Sequence, residues 1–125
     1  ADVANKRPNA KLNVSISQQI PTPLPLTVKA MEKHPHSAQT FVPTEAERYL
    51  VLVCPEDENG GPNISQLKAF VADGSQGINY YPNTWHHPFT VLDKPAECVV
   101  LRYDMDDDED TTWYVVEDGP TIVDE

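Results

Sequence analysis

Apolar and polar residues alternate along this chain in short runs, with turn-forming residues every ten positions or so, a spacing that reads as successive β-strands. Residues 1–12 are polar and mixed and read as a loose terminus. Val14 to Ile20 alternates in part and is closed by Pro21, Pro23 and Pro25. Leu26 to Met31 leads into His34-Pro35-His36, and Gln39 to Val42 ends at Pro43. Tyr49 to Cys54 is apolar on both faces, which predicts a central strand covered from both sides. Pro55 to Pro62 holds acids, Asn59 and two glycines and reads as an exposed loop. Asn63 to Gln66 suits one helical turn, and Leu67 to Val71 and Gly77 to Tyr81 are the next strands, separated by a turn at Asp73-Gly74. Pro82-Asn83-Thr84 turns the chain into Trp85 to Leu92; Glu97 to Tyr103 alternates again, and Thr111 to Val116 is the last strand before Gly119-Pro120.

About eight short strands, 12 prolines and no amphipathic helix predict an all-β fold, with residues 13–125 as one domain. Closure into a barrel would remove exposed strand edges. Composition adds exclusions: 39% hydrophobic and 23% charged residues describe a folded domain, and a net charge of -11 argues against nucleic acid and against anionic membrane surfaces. The longest apolar run is too short to span a bilayer. Cys54 and Cys98 sit in apolar runs and read as buried free thiols, so a cytoplasmic protein is the expectation.

Candidate chemistry centres on four histidines in two pairs, His34/His36 and His86/His87. Imidazole is a common ligand for divalent metals and a base near neutral pH. On an extended segment His34 and His36 share a face, whereas His86 and His87 point to opposite faces. From spacing alone, two surface pairs and one shared site are equally good readings. Gln39 can point inward or be a surface amide. Lys68 interrupts an apolar strand and either reaches outward or offers a cation to a bound carboxylate. Tyr80 and Tyr81 flank a proline, one ring suited to the core and the other to a wetter site. Asp104 to Asp110 lacks the spaced ligands of a calcium loop and reads as a solvated acidic turn. No serine-triad order, phosphate loop or dinucleotide fingerprint occurs.

These blocks together resemble the ureidoglycolate lyases of allantoin catabolism. Glu32-Lys33-His34-Pro35-His36-Ser37-Ala38-Gln39-Thr40-Phe41-Val42-Pro43 resembles the family's E-[RK]-H-P-x-x-x-Q-x-F-[IV]-P. Leu67-Lys68-Ala69-Phe70 is similar to L-R-A-F, Gly77-Ile78-Asn79-Tyr80 to G-V-N-Y, and Trp85-His86-His87-Pro88 to W-H-H-P. The resemblance implies a cupin-like β-barrel or jelly roll with little helix, acting as a homodimer. It implies a carbon–nitrogen lyase of the amidine-lyase type that splits (S)-ureidoglycolate into glyoxylate and urea. His34, Gln39 and His86 fall where a cupin places metal ligands, a set suited to nickel or manganese. His86 is the candidate base where it is not a ligand, Tyr80 the candidate acid, and Lys68 and Gln39 the candidate substrate contacts; His36 and His87 are read as neighbours. The family usually has arginine at Lys68, and carries a further N-terminal segment ahead of the equivalent of Leu12. A barrel that binds a small 2-oxo or 2-hydroxy acid without turnover is the alternative.

Overall fold

The computed structural model describes residues 2–105 and 110–124. Among them the chain forms β1 (Lys11–Gln19), β2 (Leu26–Thr27), β3 (Ala30–Lys33), β4 (Gln39–Glu45), β5 (Arg48–Cys54), β6 (Lys68–Asp73), β7 (Ile78–Tyr80), β8 (Trp85–His86), β9 (Thr90–Val91), β10 (Ala96–Asp104), β11 (Thr112–Val115) and β12 (Thr121–Ile122). A 3₁₀ turn at Ile64–Gln66 is the only helical element among the described residues. One sheet runs β1-β10-β4-β7; a second runs β11-β3-β8-β5-β6 with β9 also on β5; β12 and β2 make a small ribbon. All pairings are antiparallel, so the all-β expectation holds.

Strand register decides what the interior contains, because residues opposite one another share a face. On β4 Phe41 stands opposite Val100 and Ile78, and Pro43 opposite Cys98. These meet Tyr49, Val51, Val91 and Tyr80 in a core between the sheets. The other face of β5 turns Leu50 and Leu52 toward Val28, Met31, Trp85 and Val116. Tyr49 to Cys54 is therefore covered on both sides, as its continuous apolar run predicts. Leu52 and Met31 are fully enclosed, and each such side chain contributes roughly 1.5–3 kcal/mol. On β1 Leu12, Val14 and Ile16 lie exposed on one face, while Asn13 and Ser15, exposed as well, share the other face with Arg102 and Val100.

Several segments differ from the sequence expectation, each for a local reason. Residues 1–12 are not a loose terminus where described: Lys6 N–H donates to the His36 carbonyl, Ala38 N–H to that of Ala4, and Lys11 and Leu12 already belong to β1. The stretch Leu26 to Met31 splits in two because Val28 N–H turns to the Pro120 carbonyl. Trp85 to Leu92 splits at Pro88, which has no N–H for the ladder; His87 N–H still reaches the Leu52 carbonyl, so both halves stay on β5. β4 continues through Pro43 because the ladder shifts register there. Cys54 and Cys98 are buried and unpaired, and burial pushes the Cys54 thiol up to about 11.

The acidic run departs most. Residues 106–109 lie outside the described residues, but Asp110 is buried rather than solvated. Its carboxylate accepts the His36 N–H at 2.6 Å and lies 3.9 Å from Arg7 Nη2.

Candidate active site

Five strands bring one polar cluster into the interior. Glu32 lies on β3 directly opposite His86 on β8. Gln39 on β4 lies opposite both Tyr80 on β7 and Arg102 on β10. His34 follows β3 by one residue, two places beyond Glu32, and its carbonyl is held by Asn83 N–H at 2.8 Å. Asn83 adopts a left-handed backbone with φ of 66°, a conformation asparagine tolerates. That turn delivers Trp85-His86 next to His34.

The two histidines meet. Their ring centroids lie 5.3 Å apart, and the Tyr80 ring stacks on His86 at 4.1 Å and 13°. His86 Nδ1 lies 2.9 Å from the Thr84 carbonyl. A carbonyl only accepts, so Nδ1 carries a proton. Nε2 is buried without a hydrogen bond, 3.4 Å from Glu32 Oε1. His34 differs, because both ring nitrogens are engaged: Nδ1 lies 2.8 Å from the Asp110 carbonyl, and Nε2 lies 2.9 Å from the Gln39 amide oxygen and 4.0 Å from Glu32 Oε1.

Charge within the cluster follows from burial and neighbours. Burial works to raise the Glu32 carboxyl, but His86, His34 and Arg102 outweigh it and hold it below the ordinary carboxylate value. Burial, with help from His86 and Arg102, keeps His34 below the usual imidazole value despite the Asp110 carbonyl. Burial raises the Tyr80 phenol well above its ordinary value, so it stays protonated. The cluster thus brings a buried carboxylate and imidazole nitrogens within a few ångströms, with the protonated Tyr80 phenol on the ring stacked against His86.

The donor atoms of Glu32, His34 and His86 lie within 4.8 Å of one another. Two imidazoles and a carboxylate suit a divalent first-row ion, and the partnerless His86 Nε2 is the atom such an ion would satisfy. The set fits.

Of the residues singled out in the sequence, His34, Gln39, Tyr80 and His86 come together. His36 and His87 are bonded elsewhere: His36 is engaged through its backbone at Asp110, and His87 Nδ1 turns to the Pro88 carbonyl and Thr90, although His87 lies near enough to feel the charge of Glu32. Lys68 pairs in register with Val53 on β5 and is exposed at the sheet edge, not enclosed in the cluster. Sequence reasoning missed Glu32, Arg102 and Asp110. Glu32 carried a usable signal, because its spacing of two from His34 places both on one face.

Comparison with known proteins agrees with this picture. The sequence model described as ureidoglycolate lyase matches residues 1–123. A protein named ureidoglycolate lyase from Pseudomonas syringae is 34% identical over 81% of this chain and 58% of its own length. Another from Escherichia coli is 43% identical over 70% of this chain and 54% of its own. The chain therefore spans little more than half the length of these relatives. Among solved structures, RmlC from Streptococcus suis in complex with dTDP-D-xylose aligns with a TM-score of 0.55 at 17% identity, covering 76% of this chain and 45% of that one. That likeness identifies the fold as cupin-like.

Proposed function

This chain belongs to the ureidoglycolate lyase family, and from that premise we propose that it cleaves (S)-ureidoglycolate to glyoxylate and urea. The reaction is a carbon–nitrogen cleavage of the amidine-lyase type, without net hydrolysis. The substrate carbon bears a hydroxyl, a carboxylate and a ureido nitrogen. Loss of the hydroxyl proton lets its oxygen form the carbonyl as the C–N bond breaks, and the departing nitrogen takes up a proton. The observation that carries this reading is the buried, partnerless Nε2 of His86.

In this mechanism His86 Nε2 accepts the hydroxyl proton, and the Glu32 carboxylate 3.4 Å away stabilises the imidazolium that results. Tyr80, kept protonated by burial and stacked on His86, donates to the leaving nitrogen. Gln39, at 2.9 Å from His34 Nε2, orients substrate or completes a metal site. Glu32, His34 and His86, with Gln39, are the residues that would hold a nickel or manganese ion. Such an ion, when bound, supplies Lewis acidity that lowers a hydroxyl pKa and offsets a carboxylate's charge.

The test follows urea appearance, corrected for spontaneous decay, with ammonia measured in parallel. His86→Ala should lower the rate roughly a hundred- to ten-thousand-fold, and His87→Ala far less. Ammonia in place of urea overturns the reaction type. Chelation separates the two uses of Nε2: survival of activity assigns it as base, while loss restored by manganese or nickel assigns it as ligand. We read the assembly as a cytoplasmic homodimer. The exposed row Leu12, Val14 and Ile16 supports pairing, and the two unpaired cysteines support a reducing compartment.

A further inference from the structure

A chain with net charge -11 must offer a carboxylate substrate a local cation. Several cations are committed elsewhere. Arg48 is held by Asp93 and Asp124, Lys94 by Glu47, and Lys33 by Glu56 while lying over Trp85. Arg102 stands apart because it touches the candidate site. Its Nη1 lies 3.1 Å from His34 Nδ1 and 3.4 Å from Thr111 Oγ1. Its Nη2 lies 3.7 Å from Asp104 Oδ2. With Asn13, Ser15, Gln39 and Asp104 it lines a cavity of about 220 Å³, and Gln39 is the wall shared with the histidine cluster.

We propose that Arg102 receives the substrate's carboxylate in this cavity, displacing Asp104; the proposal rests on the lyase reading above. Three observations carry it. The face of β1 that lines the cavity is polar, with Asn13 opposite Arg102 and Ser15 opposite Val100, so the cavity suits a charged, hydrogen-bonding guest. At 3.7 Å the Arg102–Asp104 pair is beyond hydrogen-bond reach, and its side chains are 25% and 35% exposed. An ion pair that open contributes little, so an incoming carboxylate that accepts two parallel N–H bonds replaces it readily. The third is placement: Gln39 lines the same cavity and lies 2.9 Å from His34 Nε2, so the cavity adjoins the histidine cluster. Lys68, by contrast, is exposed and presents a single-point charge.

The experiment measures kcat and KM for urea release, inhibition by glyoxylate and by urea separately, and thermal stabilisation by glycolate. Arg102→Met should raise KM and weaken glyoxylate inhibition about tenfold or more, the loss expected for a charged hydrogen bond. Inhibition by neutral urea should hold. Asp104→Asn should act in the opposite sense, lowering KM and tightening glyoxylate inhibition, and it decides the matter if Arg102→Met fails to fold. Unchanged KM and glyoxylate inhibition in both variants, beside normal wild-type turnover, overturns this proposal and leaves the reaction standing. A larger KM rise from Lys68→Met than from Arg102→Met also overturns it. If the wild type releases no urea but glycolate stabilises it and not Arg102→Met, the reaction reading fails and the Arg102 assignment stands.

Discussion

Gln39 and Phe41 stand two positions apart on the inner face of β4, and the interior changes character between them. Around Phe41 lie Phe89 at 4.7 Å, Tyr49, Val51, Val91 and Cys98, with no charge among them. Around Gln39 lie His34, Tyr80 and Arg102, with Glu32 and His86 beyond. The same strand pair, β4 with β10, builds both. Tyr80 belongs to each half, packing edge-on to Phe41 at 6.2 Å and stacking on His86. The apolar half supplies the free energy that holds the polar half in place, where burial of Glu32 and His34 works against stability. Stability and chemistry are thus separable by position along one strand.

The largest expected effect falls on the apolar half. Phe41→Ala should cost roughly 3–5 kcal/mol of unfolding free energy, read from the midpoint in guanidinium chloride, with much of the turnover per folded molecule retained. Turnover falling as far as for His86→Ala would mean that the halves cannot be separated. Next comes the residue common to both. Tyr80→Phe keeps the stack and removes only the phenolic proton, so kcat should fall about a hundredfold, near 2.7 kcal/mol, while the melting temperature barely moves. Asp110→Ala should cost about 1–3 kcal/mol of stability, since it strands the His36 N–H. The group holding His34 is the Asp110 backbone carbonyl, which alanine keeps, so kcat should fall less than for Tyr80→Phe.

The smallest effect is electrostatic and far from the site. Arg48 grips Asp93 through two bonds of 2.7 Å and holds its carboxyl below the ordinary value. A carboxyl lowered on folding stabilises above its unfolded pKa of about 3.9 and loses that contribution as pH falls through the folded value. Arg48→Met should therefore lower the melting temperature slightly at neutral pH, and the gap should close in acid below that value. A gap that persisted there would mean the effect is packing.

Local patterns made the strands legible: Glu97 to Tyr103 carries the period of two in full view, and Tyr49 to Cys54 the continuous apolar run of a strand covered on both faces. The breaks at Val28 and Pro88 were harder, since hydrogen bonds to distant carbonyls decide them. His34, Gln39, Tyr80 and His86 stood out through the family resemblance, which supplied what spacing alone left undecided. Glu32 was hidden by reading the histidines as pairs with each other rather than with their neighbours at the same period. Asp110 could not be told from the acids before it, because composition is blind to which carboxylate the chain folds inward. Lys68 left two readings, reaching outward or offering a cation to a carboxylate, and the edge position of β6 leaves it open to water.

β10 occupies an inner place in its sheet, between β1 and β4, yet it is among the last strands to leave the ribosome. Lys11 waits for Asp104 across most of the chain, and Gln39 for Arg102 across about half of it. Closing contacts so distant makes folding slow. While the nascent chain lacks β10, β1 and β4 carry unpaired edges, and the apolar row of Leu12, Val14 and Ile16 has no sheet behind it. Such edges invite pairing between chains. A polypeptide stopped before Ala96 would lose more than Arg102. It would lose the strand that joins its first and fourth strands, and should be recovered as aggregate.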